Sequence, residues 1–410
     1  MPLDERRYYG LDALRGGMMM LGIVLHAAAF YLAAPPPTLA PINDRNTSYA
    51  FDLVFAFIHS FRMPTFFVLA GFFAALLVEK RGVWGTYRNR AARILAPLAA
   101  GTVVILPPCI LFMLDLMLDL RFGTHSLLPD RSHLDQLGRE LRAQGVPTDQ
   151  ASFLHLWFLY YLCWFYLLIP LCRFLARQSV PAGDAIGTLL SSRASLGVFA
   201  VWTAATLWPF RAGQVIDGFI YVTPHPPSLA YYGSFFVLGY LLHSHRGFLA
   251  SLARWVPWTA ALGAVLFPLS LLASRLDDGS SFAHLEAVSV NALCTWALIY
   301  CFIGAAQRFF DRESPWTLYM SQSSYWVFLV HMPLVCLAGW WLLPFDLPAE
   351  IKFAAIVAFT TVVAFVTYHY LVQRTWVSAF LNGKRFDLDW PWRNSPALPR
   401  SQRSHATPPG

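Results

Sequence analysis

The stretch Asp12-Ala-Leu-Arg15-Gly-Gly-Met-Met-Met-Leu-Gly-Ile-Val-Leu-His26 sets an arginine and a histidine in the first long apolar segment of the chain. Their eleven-residue spacing is about three helical turns. Arg15 and His26 therefore share one helical face, about 16 Å apart along the axis. Ionisable groups cost at least a few kcal/mol in hydrocarbon, so they are rare there and mark function more often than packing.

The remaining sequence belongs to the same class. Of 410 residues, 57% are hydrophobic and only 13% charged, against about 25% charged in soluble domains. The expected fold is all-α, a polytopic membrane protein. Windows of about 20 apolar residues mark ten transmembrane helices, at 13–33, 49–78, 94–118, 153–173, 194–210, 228–243, 256–273, 286–306, 317–343 and 351–372. The second is longer than one crossing needs and is expected to tilt or to bend at Pro64. Some two-thirds of the 30 lysines and arginines fall on alternate connections. By the positive-inside rule these are the inner ones, so both termini are expected in the cytoplasm. The outer side holds Arg45, Arg211, Arg275 and Lys352, plus the arginines of the third connection, 119–152. That connection is charge-balanced and carries an amphipathic helix over 134–142, expected to lie on the outer surface.

These loop charges account for the net charge of +7, so nucleic acid is not an expected partner and the lipid bilayer is. Residues 1–382 form one transmembrane domain, and 383–410, rich in Pro, Arg and Ser, are expected to be a disordered tail. The basic start, apolar core and Ala27-Ala28-Ala29 mimic a signal peptide, but Asp12 and Arg15 crowd the apolar stretch, and the segment is read as retained. Cys109, Cys163, Cys172, Cys294, Cys301 and Cys336 form no ligand pattern with histidine. They are read as small buried hydrophobes, with no disulfide framework and no metal site.

Helical rise places His26, His59 and His331 in one central band of the membrane, with Arg62 one turn below His59 on the same face. His59 alone is equally explained by a hydrogen bond between helices, and His369, near a helix end, reads as structural. Arg90 and Arg93, at spacing i, i+3, form with Arg88 and Arg15 a phosphate-binding patch or a plain topology anchor. Trp157 is open between stacking on a sugar and sitting in an aromatic belt.

Leu11-Asp-Ala-Leu-Arg-Gly16 with His26, Arg90-Ala-Ala-Arg93, and Ser323-Ser-Tyr-Trp-Val-Phe-Leu-Val-His331-Met-Pro333 together resemble the acyltransferase-3 family of membrane acyltransferases. Phe57-Ile-His-Ser-Phe-Arg-Met63, His155-Leu-Trp-Phe-Leu159 and Phe380-Leu-Asn-Gly-Lys384 are most similar to its glucan-biosynthesis branch, which is thought to succinylate osmoregulated periplasmic glucans. Where that branch often has two histidines, this chain has His331-Met332. The resemblance implies a bacterial inner-membrane enzyme with a cytoplasmic acyl-CoA donor, succinyl-CoA in this branch, and no permanently bound cofactor. It also implies a periplasmic glucan as acceptor and the glucan-synthesis machinery as a partner. Carried over residue by residue, it implies that His26, Arg15, Arg90 and Arg93 matter for activity.

The combined expectation is O-acyl transfer to a sugar hydroxyl. Arg15, Arg90 and Arg93 hold the phosphates of the donor, and His26 is general base, since a near-neutral imidazole suits proton transfer. His331, His59 or Arg62 stabilises the oxyanion, or Arg62 binds the free carboxylate of a succinyl group. Ser323 and Ser324 lie on the path but sit in no Gly-x-Ser-x-Gly elbow. The alternatives are O-acetyl transfer to another polysaccharide and secondary transport of a small anion. Transport predicts inverted repeats, which the sequence lacks.

Overall fold

The computed structural model describes residues 8–123, 130–143, 152–179, 188–189, 192–211, 222–245, 247–386 and 390–391. Among the described residues every regular element is helical. In chain order these are α1 (Tyr9–Ala28), α2 (Tyr49–Arg90), α3 (Ala96–Val104), α4 (Leu106–Phe122), α5 (Arg131–Ala143), α6 (Trp157–Tyr166) and α7 (Ile169–Ser179). There follow α8 (Ala194–Leu207), α9 (Pro226–His243), α10 (Gly247–Leu276), α11 (Ser281–Phe310), α12 (Pro315–Leu342), α13 (Ala349–Thr367) and α14 (Trp376–Asn382).

All ten expected segments are helical, but they do not all cross as separate helices. Among the described residues six helices are long and apolar enough to span a membrane, or seven if the bent pair Leu154–Tyr166 and Ile169–Arg177 counts as one. The protein is thus a multi-pass membrane protein, and ten separate crossings are not confirmed among the described residues. Hydropathy windows see apolarity and miss backbone breaks. The windows at 49–78 and 94–118 lie partly in one 56-residue helical run, Tyr49–Val104. A straight helix of that length would measure about 84 Å, far beyond the roughly 30 Å of hydrocarbon. The run breaks at Gly82, where φ is 68°, a conformation open to glycine. At the far end Pro107 and Pro108 bring no N–H to the carbonyls of Val103 and Val104, and helicity lapses at Ile105. In the pair α6–α7 the 52° bend falls just before Pro170, which brings no N–H to the carbonyl of Tyr166 at the end of α6.

Proline also explains how the bundle is stitched. Each proline inside a helix frees the carbonyl four residues earlier, and three of these carbonyls take a donor from another helix. Pro64 frees Ser60, whose carbonyl accepts from Thr295 Oγ1 on α11 at 2.9 Å. Pro97 frees Arg93, whose carbonyl accepts from Tyr325 Oη on α12 at 2.8 Å. Pro333 frees Leu329, whose carbonyl lies 3.1 Å from His155 Nε2. A lone helix would leave these groups orphaned, and no water in the bilayer core would rescue them.

α1 packs against α12, α2, α11 and α13 at the centre of the bundle. It runs antiparallel to α2: Tyr8 meets Phe72 at one end (5.3 Å between ring centroids) and Tyr31 meets Phe51 at the other (5.6 Å). α2 crosses α9 closely, since a Cβ added at Gly239 would fall on the Val68 carbonyl. Phe67, Phe165 and Tyr232 fill the core between α2, α6 and α9.

The α1–α2 loop is locked by a buried ion pair, Lys352 Nζ to Asp44 Oδ2 at 2.9 Å, with side chains 2% and 8% exposed. Lys352, expected among the outer loop charges, is an internal strut in the first turn of α13. Lys352→Met alone is expected to cost about 3–5 kcal/mol, because it strands a buried carboxylate. Adding Asp44→Leu should restore most of that loss. Thermal unfolding of the single and double variants in detergent checks the cycle.

The amphipathic helix expected at 134–142 is α5, clasped to α4 by Arg121 and Glu140 at 2.7 Å. His369 hydrogen-bonds Tyr319 (3.3 Å) and stacks on Trp390 (4.0 Å), a structural role as expected. All six cysteines are free thiols. Of the expected tail, 383–386 run back against the bundle, and 387–389 and 392–410 lie outside the described residues.

Candidate active site

α1 and α12 bring His26 and His331 together, with ring centroids 5.3 Å apart. A third ring joins them: His155 lies 5.4 Å from His331. His331 and His155 are 1% and 6% exposed, whereas His26 keeps partial access. Hydrogen bonds set the tautomers of the buried pair. His331 Nδ1 sits 2.7 Å from the Phe328 carbonyl and 3.1 Å from that of Val327. Carbonyls only accept, so Nδ1 carries the proton and Nε2 of the neutral ring presents a lone pair. That Nε2 is buried with no partner among the described residues. His155 is the mirror case: Nε2 donates to Leu329, and Nδ1 is left open. His26 has no hydrogen-bonding partner among the described residues. An oxyanion needs a donor, so the neutral His331 tautomer fits an acceptor role better than the expected oxyanion role.

His155 is not among the site residues expected from the sequence, where it figures only in the motif His155-Leu-Trp-Phe-Leu159. The chain reaches the bundle interior through Leu154, whose φ of 44° is the one positive value at a non-glycine residue among the described residues. Left-handed geometry costs about 1–2 kcal/mol in an L-residue, and here it aims the next side chain inward. The sequence signal was Pro333, which demands a donor for Leu329. Pro333→Ala restores the helical N–H to that carbonyl and so competes with His155. It is expected to preserve thermal stability while lowering turnover by up to about 10²-fold through a misplaced ring. Melting and turnover of the variant, measured side by side, check this.

Arg62, on α2, is 5% exposed. Its Nε donates to the Met18 carbonyl at 2.8 Å, and its Nη2 lies against Gly22, where an added Cβ would approach to 2.3 Å. Met18, Gly22 and His26 follow one another at four-residue spacing, so the guanidinium lies on α1 one turn from His26. No carboxylate pairs with Arg62 among the described residues. His59 is half-buried, stacked on Phe55 (5.5 Å, 12°), and within electrostatic range of His26.

Two cavities flank this histidine–arginine layer. The first, about 540 Å³, is rimmed by Arg15, Lys80, Arg90, Arg93 and Lys384, with Asp12 as the acidic member. Phe66, Phe158 and Phe328 are among its apolar lining. Phe328 packs 5.8 Å from His155 and 6.0 Å from His331, so one aromatic ring separates cavity and histidines. The three arginines expected to act together therefore share one cavity, with different local duties. Arg15 Nη2 donates to Ser321 Oγ at 2.8 Å and pairs with Asp12 at 3.4 Å. Arg90 lies over the Tyr166 ring at 5.1 Å. Arg93 Nη1 donates to the Ala379 and Phe380 carbonyls and caps the C-terminus of α14. It thereby holds Leu381, Asn382 and Lys384 as a wall of the cavity. Ser323 and Ser324 donate to carbonyls of their own helix, at Met320 and Ser321.

The second cavity, about 350 Å³, lies toward the opposite end of α1 and α2. Along α1 the first cavity ends at Met19, and the second begins at Leu32 beyond the helix. Along α2 the second ends at Pro64 and the first begins at Phe66. His26 falls between them on α1, and Arg62, from the stretch of α2 beside the second cavity, reaches across to Met18 and Gly22 of α1.

The acyltransferase-3 profile, described as an acyltransferase domain, matches residues 8–369. The chain belongs to the acyltransferase-3 family. It is also similar to proteins named glucans biosynthesis protein C from Escherichia coli K12, E. coli O139:H28 (strain E24377A / ETEC) and E. coli O1:K1 / APEC. Each is 25% identical over 403 residues, covering 93% of this chain and 96% of the relative. No solved structure matches the chain significantly. As an acyltransferase-3 member, the protein is a membrane acyltransferase.

Proposed function

We propose that the enzyme moves a succinyl group from cytoplasmic succinyl-CoA to hydroxyls of a periplasmic glucan in the bacterial inner membrane. The observation that carries this reading is the cation-rimmed cavity whose inner end, at Phe328, touches the histidine cluster. Five cations around one acid suit the phosphates of a CoA donor, because guanidinium and ammonium groups bind phosphate oxygens. The apolar interior suits the pantetheine arm, and the 16 Å from Arg15 to His26 is the distance that arm must cover. The names of the relatives support a glucan acceptor. In this reading the Arg15 end faces the cytoplasm, and so do both termini, with an even number of crossings.

The reaction then runs as a direct transfer. His26 takes the proton of the acceptor hydroxyl as its oxygen attacks the thioester carbonyl. Free donors on Arg62 meet the developing oxyanion, and the C–S bond breaks. The imidazolium of His26 returns its proton to the CoA thiolate, so the step releases no net proton. His331, its ring 5.3 Å from that of His26, carries an unpartnered Nε2 acceptor, and His155, pinned by Leu329, packs against it.

Mass spectrometry of periplasmic glucans from cells with and without the protein tests donor and acceptor together. Succinyl substituents that vanish with the protein are the expected result; unchanged glucans would sink the proposal. Purified enzyme given succinyl-CoA or acetyl-CoA then distinguishes the acyl group.

A further inference from the structure

We infer that Gln322 accepts a hydrogen bond from an amide of the donor's pantetheine arm and so selects a CoA thioester over other phosphorylated acyl carriers, an inference that rests on the proposed CoA donor. Charge places a phosphorylated ligand in the first cavity, which carries five cations against one acid. The second is lined by a single carboxylate, Asp52, and a single guanidinium, Arg275. Charge alone does not choose among phosphorylated ligands. An acyl phosphate, a lipid-linked phosphate and CoA would all suit five cations.

The uncommitted polar atoms of the lining are more particular. Three of them are buried with no hydrogen-bonding partner among the described residues: Arg15 Nε, Arg90 Nε and Gln322 Oε1. The two arginine nitrogens are donors, and phosphate oxygens satisfy them. Gln322 Oε1 is an acceptor, on a side chain only 7% exposed. An ionised phosphate brings nothing to it, because phosphate oxygens also accept. A buried acceptor left unpaired is costly, so this atom marks where a ligand donor belongs. Pantetheine carries two amide N–H groups between its phosphate and its sulfur. An acyl phosphate and a prenyl-type lipid phosphate carry none.

Position agrees with chemistry. Gln322 follows Ser321, whose hydroxyl accepts from Arg15, and precedes Phe328 by six residues, about 9 Å of helical rise. Ser321, Gln322 and Phe328 all line the cavity. An arm anchored on the cations and reaching toward Phe328 therefore passes Gln322. The backbone at this level is held from the facing wall, since Asn382 Nδ2 of α14 donates to the Gln322 carbonyl at 3.2 Å. A fixed acceptor of this kind discriminates against ligands that lack the matching donor.

The test uses the full-length protein in nanodiscs with two probes titrated separately, CoA and its nucleotide half, 3′-phospho-ADP. Gln322→Leu is expected to weaken CoA binding by about tenfold, as for one lost buried hydrogen bond, and to leave 3′-phospho-ADP binding unchanged. The melting temperature of the ligand-free variant should not fall, because the substitution removes an unpaired acceptor and keeps the bulk. CoA analogues with each amide N–H replaced in turn by an ester oxygen repeat the test on the wild type, whatever the variant's folding. One of the two should bind about tenfold more weakly than CoA. The contact is overturned if Gln322→Leu binds CoA like the wild type, if it weakens both probes equally, or if both esters bind like CoA. A wild type that binds neither CoA nor 3′-phospho-ADP would instead overturn the proposed donor, and the contact with it.

Discussion

Replacing His26 with alanine is expected to lower acyl transfer by about 10²–10⁴-fold, the usual contribution of a positioned general base. His26 keeps partial access while its neighbours His331 and His155 are sealed, and its nitrogens are not committed to the backbone as theirs are. It alone of the three rings can meet a hydroxyl and remain held by its neighbours. Succinyl-CoA binding should survive the substitution, because Arg15 lies about 16 Å away along the axis of α1 and His26 does not line the cavity that holds Arg15 and the other cations. The check is turnover and donor affinity measured on the same folded preparation. Normal turnover would remove His26 from the chemistry; lost donor binding would mean that helix α1 had moved.

The second large effect is expected at a residue with no functional side chain. Gly22→Ala places a methyl group 2.3 Å from Arg62 Nη2, closer than any real contact. The guanidinium must leave its seat on the Met18 carbonyl or α1 must shift. Loss of one aimed donor at an oxyanion costs about 10²–10³-fold in turnover, and Gly22→Ala should approach the loss seen in Arg62→Ala. The double variant should then be little worse than either single one, since both remove the same interaction. Additive losses would show that Gly22 and Arg62 act separately. Melting temperatures of the purified variants separate this from simple unfolding.

Membrane class, helical segments and most of the site were legible in the sequence. A histidine or arginine in hydrocarbon stands out whatever its neighbours, which is why His26, His59, Arg62 and His331 could be picked without a structure. The cationic rim was half legible. Arg15, Arg90 and Arg93 were expected together, but Lys80 and Lys384 looked like ordinary loop charges. Arg93 looked like a phosphate ligand, and its principal bonds turn out to hold the wall of the cavity. Hydropathy located the apolar segments but not their breaks, since apolarity does not report where Gly82, Pro107 or Pro170 interrupts a helix.

What the chain determined by itself were properties local to a residue or a turn: apolar runs, buried charge, and the carbonyls that Pro64, Pro97 and Pro333 leave without donors. Which groups answer those needs was decided only in three dimensions. Thr295, Tyr325 and His155 come from segments 174 to 235 residues away in the chain. The same packing determined that His155 joins the histidine cluster, that Gly22 seats Arg62, and that two cavities of different charge leave His26 between them along α1. Spacing along a helix states which face a side chain takes, and the packing of the other helices decides what it meets there.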